Sequence, residues 1–409
     1  MAVRTIQPPL YWPVVCWSGV LRSLLAACRY VATPVGRDLR LDFLRGFCVF
    51  AMVVDHVGGT SWLYAITGGN TSAVSAAEGF VFLSGLVMGL VYREKIRKLG
   101  LRGAARAALG RAWTLYGLTV ALTLIFAALT QWTSLALWVG RERGLGVESW
   151  AQLVIATLTL HYTWHGTDIL ALYTLVVGAA PLVFFLLAEG RATLVLGASW
   201  GLWLLHQLFP RYVVVPWQVQ NSETFPLAAW QVLFVTALVL GYHRLEIEKW
   251  VHRLTSQPLG ERTRLRLGCA AAGCVALAVG WVWTTNSAAA LTPGAVQVAS
   301  LPDLFDKPSL GVGRLALFAL LAGLALAATT YAWRPLQMTV GWLLIPLGQA
   351  SLYVYALHLF LILVAYNVPP YVGSDQPGWE LHNTLGQLGL VLALWAMVKT
   401  RFLFGLVPR

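Results

Sequence analysis

From residue 41 to residue 406 the chain is a succession of apolar runs, each about as long as the hydrocarbon core of a bilayer is thick. About twenty residues of helix cross roughly 30 Å. Runs near 41–60, 72–92, 111–131, 168–188, 192–209, 225–243, 266–285, 314–333, 340–365 and 384–406 meet that length, about ten spans in all. The run at 147–164 is shorter and carries His161 and His165, which suits an interfacial or re-entrant piece. A water-facing surface is out of reach, because only 11% of the 409 residues are charged against 58% apolar. Nineteen tryptophans supply the rings that collect at membrane–water boundaries. The expected fold is therefore all-α: a polytopic helical bundle in the cell membrane, with membrane lipid around it.

Basic residues orient this bundle. With the N-terminus inside, the cytoplasmic segments take all 29 Lys and Arg except Arg141, Arg143, Arg211, Lys307 and Arg314. The heaviest inner loops run from Arg93 to Arg111 and from Arg244 to Arg266, whereas 58–76 and 366–383 have no Lys or Arg. That bias fits an even number of spans with both termini cytoplasmic. The same distribution argues against nucleic acid as the partner of a +12 chain, since the cations fall between apolar runs and not on one face. Cys16, Cys28, Cys48, Cys269 and Cys274 have neither metal-site nor C-x-x-C spacing, so no metal is expected. Residues 1–36 read as an interfacial segment preceding one membrane domain at 37–409. Leu25-Ala26-Ala27-Cys28 resembles a lipoprotein cleavage box, but Arg22 interrupts the apolar run before it.

Charge inside the spans carries the chemistry. Asp42, Arg45, Asp55 and His56 lie on the first span and Glu78 on the second. Each costs about 2.5–3.5 kcal/mol to insert at a helix centre, so they should face the bundle interior. Arg45 and His56 are eleven residues apart, which brings both to one helix face roughly 16 Å apart along the axis. A guanidinium at the inner mouth suits a phosphate or carboxylate, and a histidine further along suits the proton of an acceptor hydroxyl. Asp55 projects 100° from His56, so Glu78 or Asp168 from another helix is as good a candidate for orienting the imidazole. Ser84 lies beside Gly85 and Gly89, a close-packing pair, and a nucleophilic serine there is the lesser reading.

Arg37-Asp38-Leu-Arg-Leu-Asp42-Phe-Leu-Arg45-Gly46 followed by Asp55-His56 resembles the opening of OpgC-type proteins, membrane acyltransferases associated with glucan succinylation. The Arg45–His56 spacing is shared with the wider acyltransferase-3 group. The resemblance continues through Ala77-Glu78-Gly-Phe-Val-Phe-Leu-Ser84-Gly85, Thr167-Asp168-Ile-Leu-Ala-Leu-Tyr173 and Pro226-Leu-Ala-Ala-Trp230-Gln231. It ends with Asp306-Lys307-Pro-Ser-Leu-Gly311, Arg314, and Leu347-Gly348-Gln-Ala-Ser351-Leu-Tyr353 with His358. The resemblance implies O-acylation of a saccharide or glucan across a membrane, from acyl-CoA and with no tightly bound cofactor. His56 is the implied catalytic residue, with Asp55, Glu78 and Asp168 as carboxylates around it. Arg45 is the implied donor residue. Asp42, Ser84, Tyr173, Trp230, Gln231, Lys307, Arg314, Tyr353 and His358 join it as expected substrate-binding residues. A transporter or flippase with an Asp/Arg/His path is the competing reading, and a membrane scaffold the third.

Overall fold

The computed structural model describes residues 28–31, 37–69, 72–137, 149–217, 219–220, 224–256 and 303–408. The expected span at 266–285, and most of the interfacial segment at 1–36, lie outside them. Among the described residues every named element is helical, and one isolated bridge joins Tyr162 to Gln220. The all-α expectation holds. Twelve helices carry the description: α1 Leu39–Val57, α2 Tyr64–Thr67, α3 Ala76–Trp132, α4 Trp150–Leu158, α5 Asp168–Ala188 and α6 Ala192–Leu208. They continue as α7 Leu227–Tyr242, α8 Arg244–Ser256, α9 Val312–Tyr331, α10 Trp333–Gln349, α11 Ser351–Asn367 and α12 Glu380–Lys399.

Apolar and polar groups are distributed as a lipid solvent demands. Leu182, Phe185, Leu194, Leu204 and Leu208 are exposed, while Glu78, His358, Asn383 and Gln387 are fully buried. Four described helices, α3, α5, α9 and α12, are long and apolar enough to cross a membrane, or five if the bent pair α10–α11 is one span. Several expected spans appear in other forms. The runs at 72–92 and 111–131 share α3, where the charged stretch between them is helical except at Gly100, whose φ of 69° and ψ of 171° divide it in two. The run at 340–365 is bent by 93° at Ala350. The shorter run at 147–164 holds only the nine-residue α4.

Two close helix pairs set the frame. On α3, a Cβ at Gly85 or Gly89 would collide with the α7 carbonyls of Phe234 and Leu238, so only glycine permits this approach. Gly46 of α1 meets Leu344 of α10 in the same way, and Gly348 of α10 meets the carbonyl of Asp42. The Val57 end of α1 is fixed by hydrogen bonds to its last carbonyls. Tyr366 donates to Val57 at 2.7 Å, and Gln387 of α12 donates to Gly58 at 3.1 Å. Beyond it, Asn383 donates to Thr60 at 2.8 Å. These bonds hold Asp55 and His56 in place.

Candidate active site

A cavity of about 230 Å³ opens at that end of α1. Met52, Asp55 and His56 of α1 line it, with His165, Gly166 and Asp168 before and at the start of α5. Lys307, Phe225 and Tyr355 complete the polar and aromatic wall. Segments far apart in sequence thus meet around one imidazole.

The hydrogen bonds of that imidazole fix where its proton sits. His56 Nδ1 lies 2.9 Å from His358 Nε2. His358 Nδ1 in turn meets the carbonyl oxygen of Tyr355, which can only accept. His358 Nδ1 must therefore carry the hydrogen, and in the neutral ring its Nε2 is an acceptor. His56 then donates from Nδ1, which leaves the lone pair on its Nε2. This assignment comes from the network, with Tyr355 further held by its hydroxyl donating to Gly166. A histidine whose Nδ1–H is held and whose Nε2 is basic is set up to take a proton. His56 Nδ1 is met by His358, a histidine where a carboxylate was expected. The geometry explains the choice: α11 passes beside the end of α1, and each carboxyl is engaged elsewhere. Asp55 accepts from the Thr67 hydroxyl at 2.5 Å and from Gly69 N–H at 3.2 Å, which ties α2 to α1. Asp168 accepts from Ile169 N–H at 3.0 Å and still lines the cavity.

Glu78 is a structural anchor. It accepts from the backbone and hydroxyl of Ser75, closing a capping box at the start of α3, and from Arg314 Nε. The Glu78–Arg314 pair is buried on both sides. Arg314 also donates to Phe305 at 3.2 Å, and Trp230 donates to Pro308 at 3.1 Å. Trp203 donates to Leu310 at 3.1 Å. All three contacts hold the turn that presents Lys307. Trp230 and Arg314 thus support the cavity wall from behind, where substrate contact was expected. Lys307 lies over the Phe225 ring at 5.9 Å and faces the cavity. Burial pulls its ammonium below the usual lysine range, opposed by Glu78, Asp168 and Asp55.

Other expected contacts lie elsewhere. Tyr353 donates to Phe402 at 2.6 Å and packs edge-on against Phe404, away from the cavity. Five residues of helix separate it from His358, about 140° of rotation, so the two cannot share a face. Gln231 bonds to the Ser199 hydroxyl at 2.6 Å and seals α7 against α6. Ser84 accepts from Tyr173 at 3.2 Å.

Towards the opposite end of α1, Arg45 Nη2 donates to Ser351 at 2.6 Å, while its buried Nε has no hydrogen-bond partner among the described residues. Tyr173 and Arg111 lie within its electrostatic reach. Asp42 is bound on the other side of the helix start. It takes both prongs of Arg37, at 2.6 and 2.9 Å, and a bond from Gln349 at 3.2 Å. Arg45 therefore turns its guanidinium to the bundle interior near Arg111, and among the described residues no carboxylate is hydrogen-bonded to Arg45. Among the described residues no His/Cys/Asp/Glu cluster could hold a metal.

The family model for OpgC protein matches residues 37–404, nearly the whole chain. The chain belongs to the OpgC family. Neither a curated protein nor a solved structure matches it. For an OpgC member the implied role is that of a membrane glucan-modifying transferase, and its landmarks fall at both ends of α1. Two residues of the site had only weak signals in the sequence. His165 stood in a short apolar segment, and Tyr355 was one of many aromatic residues on its span.

Proposed function

We propose that the protein transfers an acyl group from an acyl-CoA, bound with its anionic part towards Arg45, to a hydroxyl of a saccharide or glucan at the His56 cavity. The observation that carries this reading is the chain His56–His358–Tyr355, which leaves His56 Nε2 basic inside a cavity also lined by Asp55, Asp168 and Lys307. His56 Nε2 takes the proton of the acceptor hydroxyl as its oxygen bonds to the thioester carbonyl carbon. The carbonyl electron pair moves onto its oxygen, and the Lys307 ammonium offsets that charge. When the carbon–sulfur bond breaks, the thiolate leaves with the proton held on His56, giving ester and free thiol. Proton uptake and oxyanion formation occur together, so the net charge of the cavity does not change.

Arg45 lies roughly 16 Å from His56 along α1, a separation the flexible arm of the donor would bridge. An acyl group reaching one end and an acceptor waiting at the other suit a bundle of about ten spans in the cell membrane with cytoplasmic termini. The test is product analysis. Purified protein in lipid nanodiscs is given isotopically labelled acyl-CoA and a glucan. Label esterified to the glucan is the expected result. Movement of the glucan across the bilayer with no ester formed would favour a flippase.

A further inference from the structure

An apolar groove that reaches Ser75 and Ala76 beside the His56 cavity meets a cationic cleft at the arginine-bearing end of the bundle. The groove, of about 690 Å³, is walled by α1, α3, α7 and α9, with Phe47, Phe82 and Phe318 among its lining. The cleft has a volume of about 1070 Å³. Six arginines line the cleft, Arg29, Arg37, Arg40, Arg93, Arg97 and Arg244, with the acids Asp38, Glu94 and Glu248, while Asp42 and Glu246 pair with Arg37 and Arg93 from outside the lining. The lining passes from one space to the other on four helices. On α1 the step is from Leu41 to Arg40, and on α7 from Leu240 to Gly241. On α3 it is from Leu86 to Leu90 and on α9 from Leu326 to Thr330, one turn in each case. Hydrocarbon-lined below and cationic above, the combined site has the amphipathic profile of a lipid.

We propose that the groove and cleft together hold one anionic phospholipid, its acyl chains along the groove and its phosphate among the arginines. In a bilayer, an apolar groove left open by the described residues is filled by hydrocarbon, which sets the class of the tail. Among the described residues guanidinium groups outnumber carboxylates by one when Asp42 and Glu246 are counted, and Arg29, held by an aromatic ring and not by a carboxylate, sets the sign of the head. The planar, two-pronged guanidinium donors match phosphate oxygens, and basic pockets between helices at a membrane surface favour anionic headgroups. The arginines are held ready by their neighbours. Arg93 is fixed by Glu246 and by the carbonyl of Tyr242, Arg40 by Asp38, and Arg29 by the ring of Tyr331. The Arg97–Glu94 pair at the rim is exposed, so exchanging that carboxylate for a phosphate costs little. Coenzyme A shares the phosphate chemistry but lacks the paired tails. The cleft also lies off the Arg45 side of α1, since Arg40 and Arg45 are about 140° apart.

The experiment measures lipid binding to the purified full chain by native mass spectrometry and thermal shift. Phosphatidylglycerol, phosphatidylcholine with the same chains, and coenzyme A are compared. One phosphatidylglycerol should bind, at least about tenfold more tightly than phosphatidylcholine. Arg29→Gln with Arg97→Gln should erase roughly that preference. Gly323→Trp should displace the lipid, with thermal melting as the check on folding, because a Cβ at this groove position meets nothing within 4 Å among the described residues. Equal binding of the two lipids would overturn the proposal. So would unchanged phosphatidylglycerol binding in both variants, displacement of the lipid by coenzyme A, or absence of any bound lipid because another part of the chain fills the groove. None of these readouts depends on acyl transfer.

Discussion

Replacing His358 with Phe keeps the volume of the ring and removes the acceptor that fixes His56. In the wild-type chain His56 Nδ1 faces His358 Nε2 at 2.9 Å, in a site where His358 is fully buried. During transfer His56 becomes an imidazolium, and a hydrogen bond to a charged group contributes about 1.5–3 kcal/mol. If that bond strengthens only as the charge forms, its loss falls on the transition state and lowers kcat roughly 10- to 150-fold, with KM for the donor little changed. His358→Gln restores an acceptor oxygen at similar reach and should recover part of the loss. The assay is initial-rate transfer from labelled acyl-CoA in nanodiscs, with thermal melting as a check on folding. Turnover of His358→Phe within twofold of wild type would refute the relay. Equal defects in folded His358→Phe and His358→Gln would also refute it.

Three further outcomes are expected. Arg45→Lys keeps the charge but loses the planar donor geometry, so donor KM should rise about tenfold with kcat nearly unchanged, read from the same initial rates. Glu78→Gln leaves Arg314 buried without its carboxylate and should lower stability by about 3–5 kcal/mol, seen as a lower melting temperature, whereas an unchanged melt would remove Glu78 from the frame. In intact cells an impermeant thiol reagent should label Asp375→Cys and not Leu99→Cys, both exposed positions in a background lacking the other cysteines, and the reverse pattern would invert the bundle.

The sequence made the class of fold legible because apolar run length and the sparseness of charge act over the whole chain. Close packing was legible too, since Gly85 and Gly89 occupy one helix face four residues apart. The arrangement of spans was less so. Periodicity does not report that the charged stretch 93–111 continues as helix, or that the chain turns by 93° at Ala350. At the site, the Arg45–His56 stripe could be worked out from helix geometry alone. Which group touches His56 could not, because it depends on how α11 lies against α1, and the partner is a histidine where a carboxylate was the natural expectation. Trp230 and Arg314 hold the Lys307 turn through Pro308 and Phe305, a supporting contact that family spacing does not distinguish from the turn itself.

The most direct test of the account is turnover in His56→Gln, whose amide can hydrogen-bond but cannot take a proton at neutral pH. Donor binding to the purified variant should match wild type, while ester formation from labelled acyl-CoA falls by about 10²–10⁴-fold, the usual contribution of a general base. Near-normal ester formation by folded His56→Gln would contradict the account and leave His56 a structural polar residue.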